Sequence, residues 1–167
     1  WETFTKPEEV AKAAEYAWHA YGLTPVFLPI EMPKDVAVGE RVASMLSVPH
    51  YVCRNVHPVE DIIGMLGSME LVLGMRLHSL IFATAGGAPV VGISYDVKVD
   101  SFIKDIGSDA CVSLAGLNAA ALCRFIDDIA TGRVGKTGAH VRKRLQEQER
   151  VNGQAAARLL AMGRRNA

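Results

Sequence analysis

Short apolar runs alternate with helical segments along this chain, and that alternation restricts the fold more than any other feature. Its densest stretch is Glu70 to Asp105, ELVLGMRLHSLIFATAGGAPVVGISYDVKVDSFIKD, which reads strand, polar turn, helix, strand, polar turn, helix. Strands alternating with helices of ten to fifteen residues imply βαβ units, a parallel sheet and right-handed crossovers. The strands are nearly unbroken apolar runs, as a sheet covered on both faces requires. In a parallel sheet the turns after the strands share one edge, so side chains far apart in sequence meet there.

Read along the chain, the helices are Pro7 to Tyr21, Asp35 to Leu46, a segment opened by His57-Pro58, Ser79 to Ala85, Val97 to Ile106 and Asn118 to Ala130, with a closing helix over 137–165. Pro near a first turn, acidic residues after it and Gly at the end mark the boundaries. The expected strands are Thr24 to Ile30, Tyr51 to Arg54, Leu71 to Leu73, Pro89 to Ile93 and Ala110 to Ser113. The first helix has no strand before it and the chain opens on Trp1 without an initiator Met. A sixth strand is therefore expected just upstream, and the 167 residues form a single domain excised from a longer protein. The fold class is α/β, a Rossmann-like parallel sheet of five or six strands flanked by helices.

Formal net charge is zero, which argues against a general nucleic-acid binder. The charge is uneven, however: from Lys136 onward there are eight Lys/Arg and two Glu. That tail reads either as a solvated helix or as a basic face making peripheral contact with anionic membrane lipid. Cys53, Cys111 and Cys123 show no CxxC spacing, so neither a zinc site nor a disulfide framework is indicated, and a reducing, cytoplasmic setting is expected. The run from Leu80 to Ile93 is too short to span a bilayer. GxGxxG, P-loop, GxSxG and HExxH patterns are all missing, and no metal site is predicted.

The remaining chemistry sits at strand ends. In GMRLHS, Arg76 and His78 follow a strand. Both deep in a helix, they would face about 200° apart, whereas in an extended turn they point to the same side. There Arg76 can hold a carboxylate or phosphate in its planar fork, and His78 can donate to that anion or move a proton. The plainer alternative pairs Arg76 with a structural carboxylate and makes His78 a cap. After the next strand, Tyr95 can stack on a ligand or merely pack, Asp96 can line the site or cap its helix, and Lys98 can reach an anion or lie in solvent. In EMPKD, Glu31 or Asp35 can bind sugar hydroxyls or act as a base, and Asp35 serves equally well as an N-cap. His57 stands at a further strand end, while His19, His50 and His140 lack such context.

GMRLHSLIFA followed by GAPVVGISYDVKVDSFIKDIG, with FLPIEMPKD upstream, resembles the signature of the polysaccharide pyruvyl transferase family, over most of the chain from Trp1 to about Ile129. The resemblance implies the C-terminal, donor-binding half of a GT-B-like enzyme. Such an enzyme transfers pyruvate as a ketal from phosphoenolpyruvate to a sugar of a cell-surface polysaccharide, at the cytoplasmic face of the membrane where the acceptor is lipid-linked. On that resemblance Arg76 and His78 belong to the phosphoenolpyruvate site, with His78 as general acid. Tyr95, Asp96, Lys98 and Glu31 line the cleft, and phosphoenolpyruvate is a substrate with no further cofactor. The N-terminal domain would be missing and the piece alone inactive. Two rivals stand beside it: a nucleotide-sugar-binding domain of a GT-B glycosyltransferase or epimerase, and a non-catalytic α/β module.

Overall fold

The computed structural model describes residues 4–55, 57–133 and, within the closing stretch, 143, 144, 147, 150, 151, 153–155, 157 and 158. Helices and strands alternate in the expected order: α1 (Pro7–Tyr21), β1 (Val26–Phe27), α2 (Lys34–Ala43), β2 (Tyr51–Val52), α3 (Val59–Gly67), β3 (Val72–Gly74), α4 (Leu77–Gly86), β4 (Val90–Ser94), α5 (Val97–Asp105), β5 (Cys111–Ser113) and α6 (Ala119–Ala130). These strands pair in parallel. Described residues inside the predicted closing helix are helical and exposed, and the rest of that helix lies outside the described residues.

The expectation of one sheet of five or six strands needs correction. Among the described residues the strands form two sheets, β1–β2 and β3–β4–β5. Val72 lies opposite Val90 and Gly92 opposite Cys111 in the larger sheet, and Val26 opposite Tyr51 in the smaller. The first strand is also far shorter than the apolar run Thr24 to Ile30 suggests. Pro25 and Pro29 bracket it, and proline has no N–H to give a ladder.

Helices cover both faces. Ile62, Leu66, Leu80, Ala83, Val99 and Ile103 pack with Val72 and Val90 on one side. Ala13, Ala17, Val42, Leu122 and Ile126 pack with Ile93 on the other. All five residues of β4 are buried, the pattern of a strand enclosed from both faces.

Helix ends follow local chemistry. Pro7 starts α1, and Gly22, at φ 68°, ends it by donating its N–H to Trp18 O at 2.8 Å. Asn118 caps α6 by accepting from Ala121 N–H at 2.9 Å. Long-range contacts then lock α1 to the segment around α6. Lys6 donates to Ala115 O and Leu117 O at 2.6 and 2.9 Å, and Ala119 N–H donates to Glu9 Oε2 at 2.6 Å. Tyr16 and Tyr21 hydroxyls both donate to Asp127 Oδ1, at 2.6 and 2.7 Å.

Candidate active site

Parallel strands bring the ends of β1, β3 and β4 to one edge, and the side chains there form a connected polar cluster. Gly74 closes β3 where the chain turns sharply into α4. A Cβ on it would lie 2.6 Å from Leu80 Cδ2 and 2.7 Å from Ser79 Oγ, so any larger residue would force those two side chains to shift. Arg76 follows as the N-cap of α4, in extended backbone at φ −86° and ψ 131°. Its side chain makes no cap bond, and the Ser79 hydroxyl donates to Arg76 O at 2.7 Å.

The Arg76 side chain reaches back across the edge to the segment after β1. Its Nε and Nη2 both donate to Asp35, at 2.8 Å to Oδ2 and 2.8 Å to Oδ1, a bidentate fork. Its Nη1 lies 2.7 Å from Glu31 Oε2, and Lys34 Nζ lies 2.9 Å from Glu31 Oε1. Asp35 also accepts the backbone N–H groups of Ile30 and Glu31, at 3.0 and 2.8 Å. Its side chain is 10% exposed and that of Arg76 17%, against 43% for Glu31. One inner ion pair therefore holds the cluster, and an outer carboxylate faces solvent.

Electrostatics follow from this arrangement. Burial works against the Arg76 charge, but Asp35, Glu31 and the nearby Tyr95 outweigh it and hold the guanidinium protonated beyond its ordinary strength. The Lys34 hydrogen bond, aided by the Arg76 charge, holds the Glu31 carboxyl below its usual range. A depressed carboxyl is a poor general base and a good hydrogen-bond acceptor.

The expected residues are thus brought together unequally. Arg76 and Glu31 meet directly, and Tyr95 lies within electrostatic reach of Arg76. Asp96 takes its capping role, accepting from Lys98 N–H at 2.9 Å. Lys98 is exposed in the first turn of α5. His78 corrects the expectation of an extended turn: α4 begins at Leu77, so His78 lies within the first helical turn, its ring 6.1 Å from that of Phe82. Arg76 stands on extended backbone and His78 on helical backbone, so the two do not share one extended turn. Asp35 is likewise no cap of α2, whose N-cap is Pro33 without a side-chain bond. His57 lies on the loop before α3, away from the cluster's contacts.

Two partners in the cluster escape a reading of the sequence. Local pattern offers Asp35 as a binder of sugar hydroxyls, a base or a cap but does not name it as the partner of Arg76, and it gives Lys34 no role, although the Glu-x-x-Lys spacing of Glu31 and Lys34 is a signal that could have found it. A second polar set lies beside β4, where Ser94 Oγ donates to Asp100 Oδ2 at 2.5 Å. The Cys111 thiol also points at Asp100, and burial with that carboxylate pushes it up to about 11. Ser94, Tyr95, Asp96 and Asp100 line a shallow depression there with Lys6. Among the described residues no group of three His, Cys, Asp or Glu side chains is arranged to hold a metal. No helix among them is long and apolar enough to cross a membrane.

No curated protein and no solved structure matches the chain. Residues 5–97 match the family described as polysaccharide pyruvyl transferase. That span runs from the start of α1 to the first residue of α5, taking in Glu31, Asp35, Arg76, His78, Tyr95 and Asp96, with Lys98 one residue beyond it. With more than half its length so matched, including the polar cluster at the strand ends, this chain belongs to the polysaccharide pyruvyl transferase family.

Proposed function

We propose that the chain is the C-terminal, donor-binding domain of a pyruvyl transferase that takes phosphoenolpyruvate as donor and a cell-surface saccharide as acceptor. The observation that carries this reading is the Arg76 fork, fixed by Asp35 at the carboxyl ends of the strands, where open α/β sheets take their ligands. Asp35 keeps Arg76 oriented, and the exposed Glu31 is the carboxylate that a donor phosphate or carboxylate displaces. Lys34 stands beside it as a second cation.

Ketal formation joins both hydroxyls of a sugar diol to C2 of the donor. One hydroxyl proton is accounted for at the methylene carbon, which becomes a methyl group, and the other leaves with phosphate. His78, at the start of α4, is the residue that delivers the proton to carbon. Arg76 stabilises the anionic groups as charge moves toward phosphate. Glu31 accepts hydroxyls of the acceptor once displaced, and Tyr95, Asp96 and Lys98, which follow β4, line the rest of the cleft. The reaction belongs to a two-domain, GT-B-like protein working at the cytoplasmic face of the membrane, and this domain alone is inactive.

Calorimetric titration with phosphoenolpyruvate and with uridine diphosphate tests the reading, on this chain and on the full-length gene product. Phosphoenolpyruvate is expected to saturate, and Arg76→Ala to weaken it by about tenfold or more. His78→Ala should retain binding while lowering full-length turnover by about 10²–10⁴. Absence of saturable phosphoenolpyruvate binding in the full-length protein overturns the proposal, and saturation by uridine diphosphate alone moves the site to a nucleotide sugar.

A further inference from the structure

β4 and β5 lie side by side in parallel and end at the same edge as β3, and the segments that follow them enclose a depression of about 610 Å³. Ser94, the last residue of β4, forms its floor and is 5% exposed. Its hydroxyl is already committed to Asp100 Oδ2 at 2.5 Å, which fixes that carboxylate against the strand end. Ser113, paired with Ser94 at the end of β5, is exposed beside it. Lys6 closes the far side, two of its three N–H groups donating to Ala115 O and Leu117 O at 2.6 and 2.9 Å.

The charges and surfaces around this depression select a ligand class. Asp96 and Asp100 outnumber Lys6 among its described lining residues, so a free anion is disfavoured there. A carboxylate offers about four lone-pair positions. Asp96 has given one to Lys98 N–H, and Asp100 has given two, to Ser94 and Cys111, so acceptor sites remain on both. Tyr95 and Val97 flank Asp96 in sequence and stand 57% and 72% exposed, an apolar surface that the fold leaves uncovered. Hydroxyl donors around a ring with apolar C–H faces match such a surface, and that is the chemistry of a neutral sugar.

Position makes the same case. Tyr95 lines the depression and also lies near enough to the Arg76 guanidinium to favour its charge. A ring seated on Tyr95 therefore sits beside the cluster proposed to hold the donor, on the edge where open α/β sheets take their ligands.

We infer that the depression after β4 and β5 is the acceptor subsite, seating an uncharged sugar ring of the saccharide on Tyr95, with Asp96, Asp100 and Ser113 bonding its hydroxyls. Ser94 is a positioning residue there, since it touches the sugar only through the carboxylate it holds. The inference rests on the transferase reading for the name of its ligand, and it adds a charge class: a neutral residue of the saccharide enters, and a uronic acid does not.

Amide chemical shifts of this chain, titrated with methyl glucoside, methyl galactoside and methyl mannoside as neutral probes and with glucuronate as the anionic one, test it. At least one neutral probe is expected to shift the amides of Ser94 to Lys98 and of Ser113 to Ala115, with glucuronate about tenfold weaker. Tyr95→Ala should abolish those shifts and Tyr95→Phe should keep them, because the ring face is retained. Asp100→Asn should weaken binding about tenfold through loss of a charge-assisted hydrogen bond. Tyr95 is exposed, so the Ala and Phe variants decide the question even where Asp100→Asn fails to fold. No shift with any neutral probe, shifts confined to other residues, glucuronate binding as tightly, or Tyr95→Ala titrating like the parent each overturns the inference. The sugar titrations contain no donor, and phosphoenolpyruvate added to separate samples reports on the donor reading alone. A phosphoenolpyruvate response without sugar shifts therefore sinks the subsite, and sugar shifts without that response sink the transferase reading.

Discussion

At the residue scale, Asp35 does more than its place in the first turn of α2 suggests. Its two oxygens take hydrogen bonds from the backbone after β1 and from the side chain after β3, so a single carboxylate spans the two sheets. Arg76→Ala strips the charged donors from a carboxylate that is 10% exposed. We predict a loss of about 2–3 kcal/mol, read as a lower urea midpoint. Arg76→Lys should recover only part of it, because an ammonium lacks the planar fork. A midpoint unaltered in Arg76→Ala would show that the pair contributes nothing net. Arg76 was legible as a candidate because it follows a strand and a glycine. Its partner was not, because the two lie 41 residues apart and no local pattern announces a contact of that range.

At the scale of elements, α3 and α4 cross with their backbones nearly touching. A Cβ on Gly86 would stand 2.4 Å from Gly67 Cα, and one on Gly67 would stand 2.8 Å from Gly86 Cα. Both obstacles are backbone, which cannot swing aside. Gly86→Ala should therefore cost about 1–3 kcal/mol, seen as a lower thermal midpoint, with the strain felt through Ile62, Leu66 and Leu80 in the adjoining core. A melting curve identical to the parent's would refute close approach as the reason for this glycine. The Gly86-Gly87 pair reads in sequence simply as a helix stop. In the fold the two divide the work: Gly87, at φ 90°, ends α4, and Gly86 admits α3. The turn after β3 is a similar case. Periodicity locates α4 but puts its start at Ser79, and the helix begins at Leu77, which separates His78 from the extended backbone of Arg76. No side chain caps α4, so its start left no capping signature to read.

At the scale of the whole molecule, carboxylates far apart in sequence are each held low by hydrogen bonds, some from a neighbour one turn away and some from across the fold. Lys12 lowers Glu9, Ser47 lowers Glu15, Lys34 lowers Glu31, and the two tyrosine hydroxyls lower Asp127. Because each folded pKa lies below the unfolded value, its stabilisation is complete above that unfolded value. It is lost as pH falls through the folded one. The thermal midpoint should accordingly be flat from neutrality to about pH 5 and fall steadily below it. Asp127→Asn should flatten part of that fall, and a midpoint that rises on acidification would contradict a set of depressed carboxyls. Composition and local pattern determined the α/β class, the order of the elements and most helix ends, because helical and extended periods, proline and glycine act within a few residues. Only the tertiary structure decided that the strands divide into two sheets and that Asp35 and Glu31 share Arg76. Those outcomes depend on which edges and charges meet across the sheet, and long-range pairing is set by packing geometry that no local run of residues encodes.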